Sequence, residues 1–325
     1  MHAWSTIFTY RLEAAARGQG DVDWLEHSFH GLLLNFTWWV NRKDRADKNV
    51  FEGGFLGLDN IGVFDRSAPL PTGGYLEQAD GTAWMALFCQ NMLEIAVELT
   101  MHRATYLRMC LKFVEHFLWI SSSMFADGEG VGMWDEQDGF FYDVLQLPNR
   151  SAQRLKVRSM VGLLPLCAVT VFHGQLREQY PEVAGPIRDF MDAHPELTRK
   201  IHDPTRPGCE GRLMAAVLDE TRLRRVLERM LDENEFLSPY GNPLAVAAAC
   251  AGAVRIPGRR SGIPGVVSAC RIGQRHVRRQ FELARPGVDA RERTHNPGAP
   301  AVLQLLRRGL HHRLSNRFRS AHDSL

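Results

Sequence analysis

Carboxylates, amides and aromatic side chains gather in a few glycine-rich stretches of the first 143 residues. Asp59 lies in EGGFLGLDN (52–60), Asp65 and Arg66 in GVFDRS, Gln78 and Asp80 in EQADGTAWM, and Trp134, Asp135 and Asp138 in GMWDEQDGFFYD. Glycine admits backbone conformations and close approaches that other residues resist, so such loops can aim a side chain at a ligand. The chemistry that uses paired carboxylates beside aromatic faces is glycosidic bond cleavage: one acid, one base, and rings that stack on a sugar. All seven Trp, at 4, 24, 38, 39, 84, 119 and 134, precede residue 135. Each group has an ordinary alternative. An Asp in a glycine-rich turn also serves as a turn former or helix cap. Trp38, Trp39 and Trp119 sit in apolar runs and read as core, whereas Trp84 and Trp134 divide evenly between stacking and packing. On spacing alone Asp59 stays undecided.

Competing chemistries lack their motifs. The sequence contains no P-loop, no GxGxxG after a strand, no HExxH and no GxSxG elbow. Six cysteines without CxxC spacing and thirteen scattered histidines point to no metal and no disulfide framework, and no cofactor is expected. Reduced thiols suit the cytoplasm. No apolar run has the length of a membrane span, and the first residues, MHAWSTIFTYRLE, lack the basic start and apolar stretch of a signal peptide.

The elements that must position these loops are helical by period. DWLEHSFHGLLLNFTWWVNRKD (23–44) repeats apolar residues every three or four positions and ends on basic residues. TAWMALFCQNMLEIAVELTMH is apolar on nearly all sides, as expected for a helix buried on two sides in a double-layered barrel. YLRMCLKFVEHFLWISSSMF, SMVGLLPLCAVTVFHGQL and the amphipathic DETRLRRVLERMLDE continue the series. Strand signals are scarce, and the class expected is all-α.

From residue 242 the composition changes. Residues 242–325 hold 15 Arg, no Lys and four acids, a net charge of +11 against −9 for the remainder. Tyr and Trp are absent there, no hydrophobic period persists, and a largely irregular tail is expected. The domains predicted are therefore 1–241 and 242–325.

FEGGFLGLDNIGVFDRSAPLPTGGYLEQADGTAWMA, with MLEIAVEL, KFVEHFLWI, GMWDEQDGFFYDVLQLP and LKVRSMVGLLPLCAV, resembles bacterial glycoside hydrolase family 63 proteins over roughly residues 2–241. These include glucosidases and mannosylglycerate hydrolase-like enzymes. The resemblance implies an (α/α)6 barrel of the six-hairpin type, here partial, and inverting hydrolysis of an α-linked oligosaccharide or small glycoside. It assigns the general acid to Asp59 and places Asp65, Arg66, Gln78, Asp80, Trp84, Trp134 and Asp138 around the sugar. The loop suits that role, because an acid protonated near neutral pH needs desolvation or a nearby negative charge.

Inversion needs a second carboxylate, about 6.5–9.5 Å from the first. The resemblance puts it in a later segment that has no counterpart here, and HAWSTIFTYRL matches an internal stretch of the family. A reading-frame slip near codons 241–242 accounts for the tail. FELARPGVDA (281–290), back-translated and shifted by one base, yields SNWRGPVWM, which resembles the family's continuation. The chain is thus expected to be part of an inverting α-glycosidase without turnover of its own, with a sugar as partner, no nucleic acid and no membrane. An alternative takes the Arg-rich tail at face value as a nucleic-acid or anionic-surface binder, with Arg278–Arg279 and Arg307–Arg308 as contacts. A non-catalytic sugar-binding remnant is a third.

Overall fold

The computed structural model describes residues 2–44, 48–52, 58, 61–62, 65–66, 68–125, 131–172 and 181–238. Asp59 and the tail 242–325 lie outside them.

The periodic segments fold as helices. Helix α1 spans His2–Arg17 and α2 spans Val22–Lys43. Asp21 caps α2, its side chain accepting from the Trp24 amide at 2.9 Å, and Arg42 and Lys43 complement the dipole at the other end. Helix α3, Ala79–His102, is the central element. It buries residues on every face, including Ala83, Met85, Cys89, Met92, Ile95 and Leu99, because α1, α2 and α4 (Leu107–Ser123) all pack on it. Helices α5 (Pro181–Ala193) and α6 (Pro195–Thr198) lie on α4, and α7 is Glu220–Met230. Its cap is Asp219, which accepts from the Arg222 amide at 2.8 Å.

The described residues are mostly helical, as expected, and they also hold three small antiparallel sheets that the scarce strand signals did not indicate. Strand β1 (Tyr75–Glu77) pairs with β4 (Asp143–Gln146), which pairs with β5 (Ala152–Leu155), in the register Leu76↔Leu145 and Asp143↔Leu155. Strands β2 (Trp134–Asp135) and β3 (Phe140–Phe141) form a hairpin. Strand β6 (Val169–Phe172) pairs with β7 (Leu213–Ala216). The stretch SMVGLLPLCAVTVFHGQL is therefore not one α-helix. It is a 3-10 segment over Met160–Cys167 followed by β6. Pro165 removes a donor from any α ladder there, and the β-branched VTV favours a strand. Gly162 sits where a side chain has no room: a Cβ would lie 2.2 Å from the Phe140 ring and 2.3 Å from the Phe141 carbonyl oxygen.

The placement of Trp38 and Trp119 in the core is also corrected. They are 50% and 42% exposed, on the outer faces of α2 and α4, while Trp39 is partly buried. An apolar helical run identifies a helix but not which of its faces another element covers. Cys89, Cys110, Cys167 and Cys209 are free thiols. No helix among the described residues is long and apolar enough to cross a membrane.

Candidate active site

The head of α3 organises the candidate residues. Gln78 precedes the helix, Asp80 lies in its first turn, helical and not in a loop as expected, and Trp84 follows one turn on in the segment expected to be helical. Arg66 reaches this point from the preceding segment and is nearly fully buried. Its guanidinium makes a two-pronged contact with Asp80, Nη1 donating to Oδ2 at 2.9 Å and Nη2 to Oδ1. A second fork meets Asp143 on β4, with Nε to Oδ2 at 2.8 Å and Nη2 to Oδ1 at 3.2 Å. Forked guanidinium–carboxylate pairs fix orientation as well as charge.

The remaining bonds tie the acid-bearing loop to this network. Arg66 Nη1 donates to the carbonyl of Leu58, the residue before Asp59, at 3.2 Å. Gln78 Nε2 donates to the Arg66 carbonyl at 3.0 Å. On the other side of the loop, the Phe51 amide donates to Thr82 Oγ1 and the Phe51 carbonyl accepts from the Gln78 amide, both at 3.0 Å. Phe51 and Leu58 are thus each tied to the head of α3, Phe51 directly and Leu58 through Arg66.

Two carboxylates face one guanidinium in a dry setting. Burial works against the Arg66 cation, but Asp143 and Asp80 outweigh it and raise its pKa further above the ordinary value. Burial pushes the Asp143 carboxyl up, and the neighbouring Asp80 adds to this against the pull of Arg66. A cavity of about 20 Å³ borders Arg66, Tyr142, Asp143 and Ser159. That is room for a water molecule and not for a sugar ring.

A second group lies where β2, β3 and β5 meet α7. Lys156 Nζ bridges Asp135 at 2.8 Å and Asp138 at 3.1 Å, and Arg154 adds a contact to Asp135 at 3.1 Å. The Asp138 amide donates to Asp135 Oδ1 at 2.9 Å. Burial raises the Asp135 carboxyl, but the bonds from Lys156 and the Asp138 amide prevail and leave it below the usual carboxylate range. Tyr142 donates its hydroxyl to Asp138 Oδ2 at 3.0 Å, and Arg158 donates to that hydroxyl at 3.4 Å before reaching Glu235. Burial moves the Tyr142 phenol well above its ordinary range.

The structure therefore joins Arg66, Gln78 and Asp80 in one cluster and sets Asp138 in another, with consecutive residues Tyr142 and Asp143 linking the two. Asp65 is exposed on its loop. Trp84 is half-buried, with an indole N–H that has no hydrogen-bond partner among the described residues. Trp134 is buried: its ring lies 4.9 Å from that of Phe141, Arg225 sits over it at 5.7 Å, and its Nε1 donates to Glu136 at 2.6 Å. Asp143 and Glu77 were missed by sequence reasoning. Both occupy short strands beside loops, too short for alternation to mark them. Glu77 is a buried acid raised by desolvation, with an Oε1 that accepts no bond. No group of acids, histidines and cysteines among the described residues could hold a metal ion.

Comparison with known proteins adds one relative and no family. No family model matches the chain. The chain is 44% identical over 254 residues to the uncharacterized protein YMR196W of Saccharomyces cerevisiae, an alignment that covers 74% of this chain and 23% of the yeast protein. The chain thus spans less than a quarter of the length of that relative.

Proposed function

We propose that this chain is part of an inverting α-glycoside hydrolase, of the glucosidase or mannosylglycerate hydrolase-like kind, in which Asp59 is the general acid. The substrate is an α-linked oligosaccharide or small glycoside, and the architecture is part of an (α/α)6 barrel. The observation that supports the reading is the buried cluster around Arg66, which reaches Leu58, the residue before Asp59. Three of the residues that carry the family resemblance, Arg66, Gln78 and Asp80, meet at the head of α3, and Arg66 grips the Leu58 carbonyl next to Asp59. A general acid must hold one position against the glycosidic oxygen, and a buried double fork on its loop supports such preorganisation.

Asp59 would protonate the leaving oxygen while a second carboxylate activates water on the opposite face of the sugar. Residues 1–325 as they read supply no partner for that second role, so the chain itself is expected to be silent. Incubating purified 1–325 with α-glucosides and with mannosylglycerate should release no sugar above buffer. Turnover that disappears in Asp59→Asn would show that the chain carries its own base and would overturn its assignment as inactive.

A further inference from the structure

A cavity of about 470 Å³ lies between α3, α4, α5 and the β6–β7 sheet, lined by residues that belong to neither carboxylate cluster. Side chains one turn apart share a helix face. Leu93 and Val97 so placed on α3, and Ile187 and Met191 on α5, turn an apolar stripe of each helix towards it, with Phe117 of α4 and Met214 of β7 as further walls. Protein interiors hold few voids larger than a water molecule, so a space of this size among packed elements is an exception. Its volume falls within the range of small-molecule sites, roughly 300–1,000 Å³.

The character of the walls and of the mouth says what fits. Of the polar residues on its border, Arg188, Asp192 and Thr205 are exposed, and Thr205 donates its hydroxyl to Asp203 at 2.6 Å. Gln90 is buried, and its Nε2 is tied to the sheet through the Ala215 carbonyl at 2.9 Å. Arg188 and Asp192 lie one turn apart on α5 with opposite signs, so together they give the mouth no net charge to hold an ion. Water is held poorly between apolar walls, because each molecule needs several polar partners, and a charge placed there loses its hydration without compensation. Met191 and Met214 add flexible, polarisable side chains that adapt to guests of different outline.

We propose that this cavity binds a neutral apolar small molecule of aromatic or alkyl hydrocarbon character, held by burial and dispersion with no ion pair and no required hydrogen bond. The site is separate from the proposed sugar chemistry and stands whether or not that reading holds.

Equilibrium dialysis of the purified 325-residue chain against naphthalene, 1-naphthoate and 1-naphthylmethylammonium tests it, because the three probes share a ring system and differ in charge. Saturable 1:1 binding of naphthalene is expected, about tenfold or more tighter than either ion, since the walls give a buried charge no partner. Ala184→Phe, which adds bulk at the α5 wall, should weaken naphthalene by about tenfold or more. Phe8→Ser, on the exposed face of α1, should leave its affinity within about twofold, which separates the cavity from apolar surface elsewhere. Near-ultraviolet circular dichroism establishes that each variant keeps the parent fold. Absence of saturable binding to the parent chain, an ion bound as tightly as naphthalene, undiminished binding by folded Ala184→Phe, or loss of binding in folded Phe8→Ser would each overturn the proposal. If Ala184→Phe does not fold, Val97→Phe fills the cavity from the α3 wall in its place, and the parent's ranking of the three probes decides in either case.

Discussion

Arg66 joins three segments far apart in sequence: the loop at Leu58, the head of α3 at Asp80, and β4 at Asp143. Removing the cation from such a cluster leaves two buried carboxylates facing each other, a change of about 3–5 kcal/mol where one partner of a buried ion pair is lost. Arg66→Met should lower the stability measured by urea denaturation by that amount. Arg66→Lys should recover only part of it, since an ammonium cannot make both forks. A loss below about 1 kcal/mol for Arg66→Met would contradict the anchoring role. His116 gives a prediction with a definite sign. Its ring packs edge-on against Phe36 at 5.2 Å, and burial, helped by the charge of Lys112, lowers its pKa from 6.5 to about 4. The unfolded chain therefore takes up a proton at higher pH than the folded one. The stabilisation from the neutral ring is full above pH 6.5 and is lost as pH falls from 6.5 towards 4. The shift alone would correspond to at most ~3 kcal/mol, and solvent screening of a partly exposed ring reduces it to about 1 kcal/mol. His116→Phe should flatten this part of the stability–pH profile relative to the parent chain.

At the scale of elements, helices α2 and α7 were legible because their periods run for three turns or more with caps and terminal charges in agreement, and α3 because its apolar run is long. Asp219 illustrates the caps: Asp219→Ala removes the acceptor for the Arg222 amide and should cost about 1 kcal/mol, read as a shift in the urea midpoint at unchanged slope. The segment 160–172 was not legible, because a short apolar run reads alike as buried strand or buried helix. Its fold depends on Pro165 and on Gly162, which lets the chain lie against Phe140 and Phe141. The short strands β1 and β4 fell below the length at which alternation can be recognised. Asp143 was missed for that reason, although it is the residue that joins the sheet to Arg66. Arg66, Gln78 and Asp80 were singled out through the family resemblance, but their mutual contact was not legible, since it depends on how a loop and two elements meet. Trp38 and Trp119 show the converse failure. Their runs are apolar, yet the neighbours that cover one side of α2 and α4 leave these rings outside.

For the whole molecule, the surface carries large apolar side chains in several places. Trp4, Phe8 and Leu12 form a stripe along α1, and Leu34 and Trp38 stand out from α2. Exposed apolar area of this kind accompanies surfaces that pack against something else, which accords with a chain spanning 23% of its yeast relative. The division of charge between +11 after residue 241 and −9 before it belongs to the same scale. A frame slip at codons 241–242 predicts one inserted or deleted base there on resequencing. The measurement that bears most directly on the central claim is an anomer-resolved hydrolysis assay on the polypeptide that a one-base frame restoration at codons 241–242 would encode. Proton NMR should show the β-anomer released first from an α-glycoside. Asp59→Asn should reduce the rate by about 10²–10⁴-fold, the usual contribution of a general acid. Release of the α-anomer, or an Asp59→Asn rate equal to that of the parent, would contradict the assignment.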